Sequence, residues 1–167
     1  MLKRNSNQFQ RELRKIIDLN GERVDIGHFE EQGKHSTLGI GLSDLMELHH
    51  NGLALNQKTG AVFDIPPRSP LNILANRKGR HLPMISKRIM DWGRTKMNKS
   101  STADLLAGIG NDMAVEEAKL FNHPPLTANS PVTIKIKDSN IPLVDSGELR
   151  SSIRYKTSLR KALRKGK

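Results

Sequence analysis

The sequence predicts a mixed helix-and-strand fold of the α+β class, and two observations carry that prediction. Residues 6–19, 83–97 and 101–121 repeat their apolar side chains at helical spacing, whereas residues 22–29 and 154–157 have the character of strands. The 167 residues suffice for one domain with tails and a modest core. With 35% apolar and 4% aromatic residues, that core must rely on Leu, Ile, Val and Met. It is lean for a monomer, so partner subunits are expected to cover some apolar surface. No run of about 18 apolar residues occurs, and no apolar core follows the basic N-terminus; neither a membrane span nor a secretory signal is expected. The absence of cysteine removes disulfides and thiolate metal sites and fits a reducing compartment.

Phe9, Leu13, Ile16 and Ile17 fall at i, i+4, i+7 and i+8, and Asn20-Gly21 supplies a stop. Residues 1–21 therefore read as an N-terminal helical arm. Val24 and Ile26 alternate with Arg23, Asp25 and Gly27 in a half-buried strand. The polar, glycine-rich stretch 30–41 reads as a flexible loop. Ser43 is placed to cap a short helix carrying Leu45, Met46, Leu48 and His49, with Gly52 beyond its end. Lys58-Thr59-Gly60, between Ala54-Leu55 and Val62-Phe63, suggests a hairpin inserted over residues 53–64. Leu71, Ile73 and Ala75 alternate imperfectly with their neighbours, giving a short strand over 71–76.

Pro83 suits the first turn of a helix that Ile85, Ile89 and Trp92 continue to about Met97, with Lys87, Arg88, Arg94 and Lys96 on its polar side. Ser101 and Asp104 open the next helix. Leu105, Ile109 and Met113 form its stripe, extended by Leu106, Val115, Ala118 and Phe121. Gly108 and Gly110 weaken that helix by propensity but permit close approach of a neighbour. Val132, Ile134 and Ile136 alternate with Thr133, Lys135 and Lys137, which taken alone is a strand pattern.

The densest stretch is Ile141–Ile153. Pro142 holds the apolar Ile141–Val144 away from helix, giving an extended run. Asp145, Ser146 and Gly147 supply cap chemistry, and Glu148, three residues after Asp145, completes a capping-box spacing. Leu149 and Ile153 share one face of the short helix that follows.

The net charge of +11 is clustered. Residues 1–15 carry five Lys/Arg against one acid, residues 76–99 eight against one, and residues 150–167 eight against none. Such clusters favour phosphates or acidic protein surfaces, so Lys87, Arg88, Arg94, Lys96, Arg160, Lys161, Arg164 and Lys165 are candidate contacts to a partner or to DNA. The plainer reading is a solvated surface plus a disordered basic tail over 158–167.

Catalytic patterns are lacking. The six histidines include no HExxH or H-x-x-x-H pair, and the adjacent His49 and His50 project about 100° apart on a helix. Gly39-Ile40-Gly41 and Gly108-Ile109-Gly110 lack the Gly-Lys-Ser/Thr of a phosphate loop. Asp145-Ser146 would need a base and an oxyanion hole to act as a nucleophilic site, and capping explains both residues more cheaply. No catalytic, cofactor-binding or metal-binding residue is assigned, and no enzyme is expected.

The run Pro124-Pro125-Leu126, Thr133, Lys135, then Pro142-Leu143-Val144-Asp145-Ser146-Gly147-Glu148-Leu149-Arg150-Ser151-Ser152-Ile153 resembles a signature of the tail-completion (neck, or minor tail) proteins of tailed bacteriophages. Val24-Asp25-Ile26-Gly27, then His49-His50-Asn51-Gly52 and Ile65-Pro66-Pro67-Arg68, is similar to their first half. The chain departs from them in its longer 53–64 interval and in Ser69-Pro70-Leu71, where Pro-Phe-Leu is usual. The resemblance spans roughly residues 22–157. It implies a small antiparallel sheet packed against two longer helices, and often a short helix where 132–137 alternates. Pro142, Leu143, Asp145, Ser146, Gly147, Leu149, Ser152 and Ile153 then form a structural signature.

The same resemblance implies a virion protein assembled in the bacterial host cytoplasm as a homo-oligomeric ring, commonly sixfold and sometimes twelvefold. Its implied partners are the head connector and the tail tube, sheath or terminator proteins, with genomic DNA passing through and no membrane contact. The alternative from charge alone is a basic nucleic-acid-binding protein without a ring. Against it, Phe9, Phe29, Phe63, Trp92, Phe121 and Tyr155 are scattered and form no stacking platform.

Overall fold

The computed structural model describes residues 10, 11, 14, 19, 21–56, 62–96, 100–121, 126–138, 140–143 and 146–158. Most of the arm expected over 6–19, including Phe9, Leu13, Ile16 and Ile17, and the basic tail with Arg160, Lys161, Arg164 and Lys165 lie outside them. Among the described residues the fold is α+β, as predicted, with six α-helices and two two-stranded sheets. None of these helices is long and apolar enough to cross a membrane. The chain forms two compact units. One draws on Met1–Ile26, Gly79–Met113 and Tyr155–Lys167, and the other on Gly27–Lys78 and Ala114–Arg154.

In the first unit, strands β1 (Arg23–Gly27) and β4 (Arg154–Ser158) pair as a two-stranded sheet. Its helices are α3 (Lys78–Asp91), which passes into a π-helical segment at Trp92–Lys96, and the first part of α4 (Thr102–Leu120). Trp92, Leu105 and Ile109 form the buried cluster, with Leu19, Ile85 and Met113 packed on it, so the predicted stripes of both helices meet. The α4 cap forms as its spacing predicts. Ser101 Oγ accepts from Asp104 N at 3.1 Å, and Asp104 Oδ2 accepts from Ser101 N and Oγ, both at 2.8 Å. Those donors hold the Asp104 carboxyl below the usual carboxylate range.

Pro83 does not start α3, which begins at Lys78; it lies inside the helix. Its missing N–H withdraws the partner of the Gly79 carbonyl near the helix start, where little of the ladder is lost. The two glycines of α4 do different things. A side chain at Gly108 would overlap the Arg88 guanidinium, whose Nε donates to Asp112 Oδ2 at 2.6 Å, so that residue fastens α3 to α4. A Cβ at Gly110 would stand 2.6 Å from the Tyr155 ring, so β4 lies directly on the helix.

The second unit contains α1 (Leu42–Asn51), the hairpin of β2 (Leu53–Asn56) and β3 (Val62–Ile65), α2 (Pro70–Asn76), the end of α4, α5 (Pro131–Lys137) and α6 (Glu148–Ser151). Gly41, not Ser43, is the N-cap of α1. The hairpin strands pair antiparallel from Leu53 opposite Ile65 to Asn56 opposite Val62. The strand expected over 71–76 is instead helix α2. Ser69 Oγ accepts from Asn72 N at 3.0 Å, and Pro70 occupies the first turn with its φ already helical. The open segment 132–137 resolves as a helix in the same way, with Ser130 Oγ accepting from Thr133 N at 3.1 Å and Pro131 following it. Ile141–Val144 is not extended where described: Pro142 and Leu143 form a turn, with Leu143 left-handed at φ 61°. Val115, assigned to the α4 stripe, is exposed.

Glu117 and Phe121 at the end of α4 are fully buried, and neither Glu117 oxygen has a hydrogen-bond partner. Burial pushes this carboxyl up to about 7 from 4.5. The folded state therefore holds a proton that the unfolded chain releases, and stability falls as pH rises from 4.5 through about 7, by roughly 3 kcal/mol in full. Glu117→Gln should flatten that slope in urea denaturation series and make the variant the more stable protein at pH 8. Gly110→Ala should lower stability by about 1–3 kcal/mol in the same assay because of the Tyr155 contact. Propensity alone would have raised it by about 1 kcal/mol.

Candidate functional site

The second unit carries a cleft of about 270 Å³, lined from four chain segments distant in sequence. They are the loop after β1, the α1 end with the β3 return, the α5 start, and Leu143–Leu149. Three of these carry the motifs singled out in the sequence.

Gly52 makes the first junction. It ends α1 with φ 74° and donates its N–H to Leu48 O at 2.9 Å. A Cβ there would stand 2.7 Å from Ile65 O and 2.9 Å from Pro67 N, so both conformation and space call for glycine. The hairpin leaves at Leu53 and returns opposite it at Ile65, which sets Ile65-Pro66-Pro67-Arg68 beside His49–Gly52. Arg68 N then donates to His49 O at 2.6 Å, and Ser69 Oγ shares a 2.6 Å hydrogen bond with His50 Nδ1. His50 is thus occupied by the fold, while His49 lines the cleft.

Arg68 forms part of the cleft wall with only 7% of its surface exposed. Its Nε donates to Thr127 O at 2.7 Å and its Nη2 to Ala128 O at 2.8 Å. These are neutral acceptors, and burial lowers the guanidinium below its usual range. Asn129 continues this wall and donates from Nδ2 to Ile141 O at 3.1 Å, joining it to the Pro142–Leu143 turn.

The opposite wall is the signature itself. Gly147, at φ 80°, is the N-cap of α6, with no side-chain cap on that helix. The capping box expected from Asp145 and Glu148 is replaced, because the Glu148 carboxylate turns to the loop after β1. Its Oε1 and Oε2 accept from Ser36 N at 3.0 and 3.1 Å, and Ser36 Oγ donates to Oε2 at 2.6 Å. One amide shared between the two oxygens, together with a hydroxyl, outweighs what a single helical turn could offer the same carboxylate. These donors hold Glu148 below the usual carboxylate range, with the nearby His35 adding a smaller attraction. His35 is buried; its Nδ1 lies 3.3 and 3.4 Å from the Thr37 and Leu38 amides, and its Nε2 lies 3.8 Å from Glu148 Oε2.

The loop over 30–41 has internal order of its own. A 3-10 turn spans Glu30–Gln32, an isolated bridge joins Lys34 to Gly41, and His35 N donates to Ile40 O at 2.7 Å. Below α6, Leu149 and Ile153 are buried as their spacing predicts. The backbone around them is tied down: His28 Nε2 bonds Leu149 O at 2.7 Å, Gln32 Nε2 donates to Ser152 O, and Ser152 Oγ donates to Leu149 O at 2.8 Å.

Of the predicted signature, Leu143, Ser146, Gly147 and Leu149 line the cleft, Pro142 flanks it, Ser152 and Ile153 support it, and Asp145 lies outside the described residues. Of the basic candidates, Lys87 and Arg94 are exposed in the first unit, Arg88 is committed to Asp112, and the Lys96 side chain lies outside the description. Sequence reasoning missed the Ser36, His35 and Asn129 contributions, since no local signal pairs residues this far apart.

Of the hydroxyls in or beside the cleft, Ser36 Oγ donates to the Glu148 carboxylate, Ser69 Oγ pairs with His50 Nδ1, and Ser146 Oγ accepts from Glu148 N at 3.3 Å. Among the described residues no group of three His, Asp or Glu could hold a metal ion.

The Glu148–Ser36 tie is present above the unfolded carboxyl value of 4.5 and is lost as pH falls through the lower folded value. Hydrogen exchange at the Ser36 amide should therefore lose its protection in acid. Glu148→Gln should remove most of that protection at neutral pH while leaving the α4 amides unchanged; equal protection in the variant would show that other contacts hold the loop.

Comparison with known proteins finds no matching family model, no matching curated protein and no matching solved structure.

Proposed function

We propose that this chain is a structural virion protein of a tailed bacteriophage, a subunit of the ring that joins the head connector to the tail tube or sheath around the DNA channel. The observation that carries this reading is the convergence of several of the segments on which the resemblance rests, although Val24-Asp25-Ile26-Gly27, Leu126 and Lys135 do not line the cleft. His49–Gly52, Ile65–Arg68, Thr133 and Leu143–Leu149 are remote in sequence, yet each contributes to one cleft or to its direct support. Segments that meet around one feature behave as a single structural unit, whereas chance matches have no reason to meet.

Two further features support an assembly role. The α3 surface exposes Leu82 at 57%, Ile89 at 41% and Met90 at 51%, next to the exposed Lys87 and Arg94. Apolar side chains rimmed by cations suit contact with an acidic protein surface. DNA must slide through a neck, and a strongly cationic lumen would retard it, so the basic clusters are assigned mainly to protein partners. The net charge of +11 favours the second reading, a basic nucleic-acid-binding protein without a ring.

Light scattering on the size-exclusion peak, with negative-stain microscopy, should give a closed ring of six or twelve copies, alone or with the connector. If the contacts to the connector are ionic, raising salt from about 50 to 500 mM should weaken them markedly. A monomer that shifts duplex DNA tightly at physiological salt would overturn the ring reading in favour of the second.

A further inference from the structure

Among the described residues that line it, the cleft holds one guanidinium and one carboxylate, and no ion pair joins them. Glu148 spends its oxygens on Ser36 and faces His35, so its hydrogen-bonding needs are met within the protein. Arg68 is more than nine-tenths buried and has only two backbone carbonyls as guanidinium partners. Among the described residues no carboxylate pairs with it. A guanidinium carries five donors in a planar fork suited to two oxygens at once. The Arg68 partners are neutral carbonyls, and a guanidinium on the wall of an open cleft without a counter-ion can take an anion there.

The rest of the cleft says which anion. Leu38, Leu45, Ile65, Leu143 and Leu149 give it predominantly apolar walls, and about 270 Å³ is at the small end for a binding pocket. Phosphate in nucleic acid carries no apolar group to fill such walls. A carboxylate side chain beside an aliphatic residue supplies both halves. We infer that the cleft is a docking site for a short acidic–apolar segment of another protein, its Glu or Asp carboxylate pairing with Arg68 and its aliphatic neighbour packing on Leu38 and Leu143. Charge complementarity selects a different, acidic chain over a second copy, because this chain carries 28 Lys and Arg against 17 acids. That the occupant is a protein rests on the proposed structural role; the carboxylate preference rests on the cleft alone.

The test uses the full ¹⁵N-labelled chain titrated with acetyl-Leu-Glu-Leu-amide and with its Gln counterpart. The Glu peptide should shift the amides of Leu38, Thr133, Ser146 and Gly147, and should bind at least tenfold more tightly than the Gln peptide. Leu38 is 56% exposed at the cleft, so Leu38→Asp should keep the fold while weakening the Glu peptide at least tenfold, and more than Leu38→Lys, which loses the same apolar contact without adding a repelling charge. Equal response to the two peptides, or indifference to Leu38→Asp, would overturn the inference. So would the same shifts appearing with protein concentration alone, which would identify a second copy as the occupant. Rings without peptide binding would sink this inference and leave the ring role standing. Peptide binding by a protein that forms no ring would do the reverse.

Discussion

The second unit depends on a buried cation. Arg68 takes its backbone partner from the end of α1 and its guanidinium partners from the stretch before α5, so one residue joins three segments that have no local reason to meet. Hydrogen bonds from a charged donor contribute about 1.5–3 kcal/mol each, which offsets part of the desolvation that burial imposes. The remainder is left as an unneutralised charge on the cleft wall. The same group that assembles the cleft wall is thus the one on which the proposed carboxylate preference rests.

Backbone geometry does the complementary work. Gly52 lets the hairpin strands leave and rejoin α1 at near contact, and Gly110 lets a tyrosine lie flat against a helix in the other unit. Leu143 adopts a left-handed conformation unusual for a residue with a side chain, while remaining buried against the cleft. Strain of that kind persists where surrounding contacts over-determine the chain, and here the Asn129 bond to Ile141 O holds the residue two positions earlier.

The misread strand at 71–76 and the undecided segment 132–137 share a cause. Residues 71–76 and 132–137 alternate in hydrophobicity, and weighting that period above all else favours strands. Both are preceded by Ser-Pro, which satisfies a helix N-terminus and presets its first φ, and in a seven-residue element the cap decides more than the period. At Pro83 the error ran the other way, with a proline taken for a helix start although the helix had already begun. The Asp145–Glu148 spacing was readable as a capping box only while no better partner for the carboxylate was in view.

The sequence by itself determined the α+β class, the stripes that meet around Trp92, the stop at Gly52, the Ser101–Asp104 cap and the burial of Leu149 and Ile153. Each of these rests on residues within a turn or two of one another, where side-chain spacing and backbone preference act directly. Only the tertiary structure decided that Glu148 binds Ser36, that Arg68 is buried against Thr127 and Ala128, and that Tyr155 lies on Gly110. Those pairs are far apart along the chain, and which distant groups meet depends on how the intervening elements pack. The signature at Ile141–Ile153 was visible as a pattern from the start. That it forms a wall of a cleft, with a charge opposite, belongs to the fold.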